Sequence, residues 1–275
     1  MDSYVLFGHP VAHSRSPWIH AQFAAQFGYE QSYECVDVVP EHFEETLWNF
    51  AEAGGRGANV TLPLKEQAAM LCDELTPAAA RAGAANTLIR LPGQRWRGDN
   101  TDGAGLLVDF ERLGIAVTGR RLVIIGAGGA TRGILGPLLE LAPRQIVIVN
   151  RTPERALQLV LESGAMGVVQ AWSLDDLASV GHADVLIHAT SAYRAEGLPP
   201  LPEELIDAET VAYDLGYGPS AEVFLAQARR GGAHLAVDGL GMLVEQAAES
   251  FLRWRGVRPQ TAVVRENLRR LLADG

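Results

Sequence analysis

The chain has 275 residues, of which 48% are hydrophobic and 20% charged, and its formal net charge is -10. That composition excludes a disordered chain and gives enough length for one large core or two modest ones. The acidic balance runs against the clustered Lys and Arg that nucleic acid or an anionic membrane surface requires, so neither partner is expected.

Cys35 and Cys72 are the only cysteines and form no CxxC pair, which points to two free thiols in a reducing compartment and no zinc or redox motif. His9, His13 and His20 lack a tight ligand spacing, so no metal site is expected. The start MDSYVLFGHP carries no basic region and no long apolar stretch, and the apolar runs elsewhere are too short to span a bilayer. A cytoplasmic protein is expected.

In chain order, residues 4–8 read as a strand, followed by the loop HPVAHSRS and a helix with Ser16 as N-cap, Pro17 at its first position and Gly28 as its stop. Residues 35–38 read as a second strand, residues 40–53 as a helix ending on Gly54-Gly55, and residues 58–62 as a third strand leading into the helix PLKEQAAML. Residues 86–91 and 95–98 form a strand pair around Pro92-Gly93. A helix over 101–113 leads to a second unit. There, residues 121–125, 145–150, 184–189 and 211–215 are continuous apolar runs, mostly separated by helical stretches, and 233–237 closes the set. Such runs with crossover helices imply a parallel sheet covered on both faces. The fold class is therefore α/β: a Rossmann-type doubly wound parallel sheet and a second α/β unit. Helices over 240–254 and 259–272 end the chain, and the pattern leaves open whether they cover the second sheet or return to the first unit.

Between 121 and 133 a strand runs straight into Gly126, Ala127, Gly128, Gly129 and Ala130, then Thr131-Arg132-Gly133 and an apolar helix. Glycines are needed where a strand turns sharply into a helix and the backbone approaches a pyrophosphate, which the helix N-terminus then binds. The third fingerprint position is Thr131 instead of glycine, with small Gly129 and Ala130 available for close packing. The next strand ends Asn150, Arg151, Thr152, Pro153, Glu154, Arg155. An NAD site usually places a carboxylate at that tip to hold the ribose hydroxyl; here arginines flank it, which suits a 2′-phosphate and favours NADP. Thr152 and Pro153 also fit a plain helix start.

Hydride transfer at a carbinol needs a proton donor or acceptor at its oxygen. Lys65, in NVTLPLK, and Asp102, in GDNTD, lie where two strand ends of the first unit pass into helices, and such an Asp holds an ammonium in place. A charged Lys gives a proton to a ketone being reduced, and a neutral one takes a proton from an alcohol being oxidised. By itself, Lys65 fits an exposed helix residue and Asp102 a first-turn Asp that complements a helix dipole. Ser14 and Ser16 bracket Arg15 before a helix. Capping by Ser16 leaves Ser14 unexplained, whereas both hydroxyls with the helix N-terminus suit a carboxylate.

Together these segments resemble the shikimate dehydrogenase family, in order and along essentially the whole chain: FGHPVAHSRSPWIH (7–20), GANVTLPLKE (57–66), AGAANTLIR (82–90), GDNTDGAGL (98–106), IGAGGATRG (125–133), NRTPER (150–155), YDLGY (213–217) and DGLGMLVEQAA (238–248). The resemblance implies reversible NADPH-dependent reduction of 3-dehydroshikimate to shikimate, in chorismate and aromatic amino-acid biosynthesis. It implies Lys65 as acid/base paired with Asp102, Ser14 and Ser16 on the substrate carboxylate, and Thr61, Asn86, Asp102 and Gln246 on its hydroxyls and ring, with Tyr217 nearby. NADP would meet Gly126, Ala127, Gly128, Gly129, Ala130, Asn150, Arg151, Thr152, Arg155, Leu215 and Gly239. The implied domains are residues 1–102 for substrate, 103–238 for NADP, and 239–275 returning to the first. A monomer or homodimer is expected. The alternative is a paralogue with broader quinate/shikimate dehydrogenase activity. Three departures from the family pattern lie near the expected nicotinamide side: His188 where Asn is common, Ala192-Tyr193 where Ser-Gly is frequent, and Gly216 in YDLGY.

Overall fold

The computed structural model describes residues 1–190 and 199–273; Ala192 and Tyr193 lie outside the described residues. The chain divides into two compact units, Met1–Leu106 with Leu243–Gly275, and Leu107–Met242.

The first unit holds β1 (Asp2–Gly8), α1 (Ser16–Gln26), β2 (Gln31–Asp37), α2 (Pro40–Glu52), β3 (Gly57–Val60), α3 (Lys65–Met70), β4 (Glu74–Leu75), α4 (Pro77–Ala82), β5 (Thr87–Arg90) and β6 (Trp96–Asp99), and the start of α5 (Asp102–Leu113). Its sheet has the order β2-β1-β3-β5-β6-β4. β1 runs parallel to β2 and β3, while β5 is antiparallel to β3 and β6, so the sheet is mixed. The antiparallel pair follows from the tight Pro92-Gly93 connection, which leaves no room for a crossover. Phe7, Phe43, Leu47, Ala58, Leu64, Leu88 and Trp96 form the core on one side.

Three local expectations need correction. Ser16 is the first residue of α1 and does not cap it; Arg15 occupies the cap without a side-chain bond, and the Ser16 amide donates to Ser14 Oγ at 3.2 Å. β2 begins at Gln31, four residues before the expected start, because half-buried polar residues hide the strand pattern there. β4 and α4 were not expected from the apolar pattern, although Thr76-Pro77 is a good start signal: Thr76 Oγ1 accepts from the Ala79 amide at 3.3 Å.

α9 (Leu240–Arg255) and α10 (Ala262–Ala273) end the chain, and residues 243–275 belong to the first unit. Trp254 stacks on Tyr4 with ring centroids 4.6 Å apart, and its indole N–H donates to the Leu88 carbonyl at 3.0 Å. A Cβ on Gly57 would stand 2.5 Å from Trp254 Nε1, so glycine makes room for that ring.

His20 is fully buried and stacks on Tyr33 at 4.4 Å. Burial pushes its imidazole from the ordinary 6.5 down to about 3. The folded value lies below the unfolded one, so the unfolded chain takes up the proton first. Its contribution to stability is complete above 6.5 and is lost as pH falls toward 3, at about 1.4 kcal/mol per pH unit. Urea unfolding of His20→Leu and wild type between pH 7 and pH 4 checks this. The wild type loses stability more steeply with acid by one proton's worth; equal slopes refute the assignment.

The second unit holds β7 (Arg121–Ile125), α6 (Gly129–Glu140), β8 (Gln145–Asn150), α7 (Pro153–Ser163), β9 (Val169–Ser173), β10 (Val185–His188), β11 (Val211–Asp214), α8 (Pro219–Arg230) and β12 (Leu235–Asp238). Every neighbouring pair is parallel, in the order β12-β11-β10-β7-β8-β9. This is the doubly wound Rossmann arrangement, with its order reversing between β7 and β10. Leu122, Val123, Ile124 and Ile125 are buried, as the unbroken apolar run requires. β9 is the strand that the pattern did not show: it is an edge strand in which only Val169 is buried.

Candidate active site

α3 begins at Lys65, after a turn in which the Leu64 amide donates to the Thr61 carbonyl at 3.0 Å. The Lys65 carbonyl accepts from the Ala85 amide at 2.8 Å, which fixes this turn against the segment before β5. Lys65 Nζ lies 2.5 Å from Asp102 Oδ2, with the two side chains only 12% and 7% exposed. Asp102 opens α5, and its amide donates to Asn100 Oδ1 at 3.2 Å.

The second Asp102 oxygen is also satisfied. Asn86 Nδ2 donates to Asp102 Oδ1 at 2.8 Å, and the same amide lies 3.0 Å from Thr101 Oγ1 and 3.4 Å from Gln246 Oε1. Gln246 Nε2 donates to the Leu243 carbonyl at 2.8 Å, and the Thr101 amide donates to Asn86 Oδ1 at 2.9 Å. Lys65, Asp102, Asn86 and Gln246 therefore form one connected set. Gly105 lets α9 come this close: a Cβ there would stand 2.6 Å from the Gln246 amide nitrogen.

Ser14 Oγ donates to Ser16 Oγ at 3.1 Å, so the two hydroxyls are held side by side at the start of α1. Tyr33 and Cys35 lie on β2. Burial pushes the Tyr33 hydroxyl well up and raises the Cys35 thiol, and it pushes Cys72 up to about 12, so the phenol and both thiols stay protonated at neutral pH. Tyr33 also donates to Asn59 Oδ1 at 2.8 Å, and Asn59 Nδ2 donates to the Asn86 carbonyl at 3.0 Å. Thr61 lies just beyond β3, its amide donating to the Phe7 carbonyl at 2.8 Å. Thr101, Tyr33 and Asn59 escaped the sequence reading. Thr101 stands inside the NTD triplet and Asn59 opens the NVTLPLK run, so both carry a visible signal. Tyr33 acts through a contact distant in sequence, its bond to Asn59.

In the second unit Gly126 has φ +120, and a Cβ there would stand 2.8 Å from the Ala189 carbonyl oxygen. Thr131 takes the place of the third glycine for a reason: its hydroxyl donates to the Gly126 carbonyl at 2.8 Å and closes the turn. Gly128 is the N-cap of α6, with no side-chain cap and open space where its Cβ would be. Backbone donors at a helix start with an open approach fit a pyrophosphate. The Ala127 amide donates to Asn150 Oδ1 at 3.2 Å, and Asn150 Nδ2 to the Thr152 carbonyl at 2.8 Å, so Asn150 ties the glycine turn to the start of α7. Thr152 is the N-cap there without a side-chain bond, and Arg151 and Arg155 are exposed beside it. No carboxylate occupies this tip, so the residues fit a 2′-phosphate. Leu215 and Tyr217 follow β11 and Gly239 follows β12; the Gly239 amide donates to the Gly216 carbonyl at 2.8 Å. Tyr217, the remaining residue of the expected substrate set, belongs to this second unit.

Gly126→Ala is expected to destabilise the protein by roughly 1–3 kcal/mol, from positive φ and a backbone clash together. The urea midpoint checks it, and an unchanged midpoint shows that the turn is not as tight as described.

Three family models match the chain: the shikimate dehydrogenase substrate binding domain over residues 6–88, shikimate/quinate 5-dehydrogenase over 111–195, and the shikimate 5′-dehydrogenase C-terminal domain over 239–269. Shikimate dehydrogenase (NADP(+)) of Xanthomonas campestris pv. campestris (strain 8004) is 51% identical over 272 residues, covering 98% of this chain and 96% of that protein. The chain belongs to the shikimate dehydrogenase family. The shikimate dehydrogenase (NADP(+)) of Aeromonas hydrophila subsp. hydrophila is 48% identical, over 99% of both chains. Among solved structures of the family, the Thermus thermophilus enzyme in complex with NADP(H) and shikimate aligns with a TM-score of 0.84 at 39% identity, covering 98% of this chain and 99% of that one. Among the described residues, no helix is long and apolar enough to cross a membrane.

Proposed function

We propose that the chain catalyses the reversible NADPH-dependent reduction of 3-dehydroshikimate to shikimate. The observation that carries this reading is the Lys65–Asp102 pair, a shielded ammonium held at 2.5 Å by a carboxylate whose other oxygen is bound by Asn86. The names of the relatives support the reaction and the cofactor, and the Thermus enzyme was solved with both shikimate and NADP(H).

The chemistry that NADPH supplies when bound is a hydride equivalent at the ketone carbon. Lys65 does the complementary work: its ammonium gives a proton to the ketone oxygen in reduction, and as the neutral amine it takes that proton back in oxidation. Asp102 orients the lysine and, with Asn86, Thr61 and Gln246, binds the hydroxyls of the ring. Ser14 and Ser16 bind the carboxylate and so fix which carbon faces Lys65, with Tyr217 completing the substrate set. Gly126, Ala127, Gly128, Gly129 and Ala130 cradle the pyrophosphate, while Asn150, Arg151, Thr152 and Arg155 bind the adenosine end. Leu215 and Gly239 line the rest of the cofactor site. On this reading residues 1–102 and 239–275 form the substrate domain and 103–238 the NADP domain. The protein is read as cytoplasmic, as a monomer or homodimer.

An absorbance assay of NADPH formation tests the proposal. With shikimate and NADP(+) the purified protein turns over, and the rate falls with quinate or with NAD(+). Equal kcat/KM on quinate favours the broader dehydrogenase, and no turnover with either substrate refutes the assignment.

A further inference from the structure

His188 ends β10 at the point where the strand order of the second sheet reverses, paired in register with Ile125, the last residue of β7 before the glycine turn. Ligands of doubly wound sheets bind at such a point, outside the carboxyl ends of the strands. The His188 ring is buried and stacks on Phe224 with centroids 5.0 Å apart. Its Nδ1 lies 2.8 Å from Asp214 Oδ2. A carboxylate only accepts, so Nδ1 carries the hydrogen and donates. The other oxygen, Asp214 Oδ1, accepts from the Gly216 amide at 2.7 Å. The backbone repeats the link, because the Leu215 amide donates to the His188 carbonyl at 2.8 Å. The Gly216 carbonyl in turn accepts from the Gly239 amide at 2.8 Å.

We propose that His188 is a positioning residue for NADP binding: through Asp214 it holds the turn at residues 215–217, and with it Gly239, in the shape that meets the cofactor. This rests on the functional reading above, which places Leu215 and Gly239 at the cofactor. Without the ring donor, the Asp214 carboxylate keeps one buried oxygen unsatisfied and releases its hold on the Gly216 amide to find another partner. Gly216 accentuates the dependence: a Cβ there would stand 3.1 Å from Asp214 Oδ1, so the carboxylate sits against a residue with no side chain of its own to fix the turn.

Two variants separate the hydrogen bond from the packing. His188→Phe keeps a ring on Phe224 and loses the donor; His188→Asn keeps a donor and loses the ring. Fluorescence titration with NADPH and urea unfolding are measured on both and on wild type. The expected result is an NADPH Kd raised roughly tenfold or more in H188F and within about threefold of wild type in H188N, because preorganisation and not bulk stability sets the affinity. The order inverts in unfolding, where H188N is the weaker variant. If H188F does not fold, H188N decides alone: near-normal Kd supports the proposal and a tenfold loss overturns it. Wild-type protein that binds NADPH while H188F binds it equally well overturns this proposal alone. Wild-type protein that does not bind NADPH overturns the functional reading and this proposal with it.

Discussion

Lys65→Ala lowers kcat by roughly 10²–10⁴-fold with a modest change in KM, the signature of a lost general acid/base. The size follows from position: the ammonium is shielded from water, so no solvent donor replaces it directly. The same substitution leaves Asp102 without its counter-ion, and removing one partner of a buried pair costs about 3–5 kcal/mol. Thermal unfolding must therefore accompany the kinetics, with rates taken well below the variant's Tm. Lys65→Arg restores the charge and much of the stability without the proton chemistry, since a guanidinium does not give up its proton in a protein. Near-normal kcat in the folded alanine variant removes Lys65 from its role. Recovery of kcat in the arginine variant shows that charge alone was needed.

Replacing Arg151 and Arg155 together with alanine is the second large effect. Each charge-assisted contact to a phosphate contributes about 1.5–3 kcal/mol, and exposure reduces that, so KM for NADPH is expected to rise roughly 10–100-fold. KM for NADH is expected to change little, which narrows the preference for the phosphorylated cofactor. Equal losses with both cofactors contradict the 2′-phosphate reading. Raising ionic strength weakens NADPH binding in wild type more than in the double variant, since the arginines at the start of α7 are exposed and screened by salt.

What could be read from residues alone followed how local each signal is. The runs Arg121–Ile125 and Gln145–Asn150 match their strands residue for residue, because central parallel strands are buried on both faces and carry no polar interruption. The edge strand Val169–Ser173 has one buried residue and gave no such pattern. Thr76-Pro77 carried a usable cap signal for a six-residue helix too short to show periodicity. At the site, Lys65 and Asp102 are legible as strand-end residues, but only the fold shows their separation and the way Asn86 reaches both Asp102 and Gln246, which is 160 positions further on. Ser16 shows the opposite failure, where the pattern of a cap misplaced a residue whose neighbour in space is Ser14. His188 stood out as an odd residue, and its meaning lies in Asp214, 26 positions away on the adjacent strand.

The most direct test of the central claim is a transfer experiment. Purified protein is given 3-dehydroshikimate and NADPH dideuterated at C4 of the nicotinamide, and the shikimate formed is examined by mass spectrometry. Direct hydride delivery with a proton from Lys65 predicts one carbon-bound deuterium in each product molecule, at the carbinol carbon, with the hydroxyl hydrogen exchanging to that of solvent. Shikimate without the label, or no shikimate at all, contradicts the account.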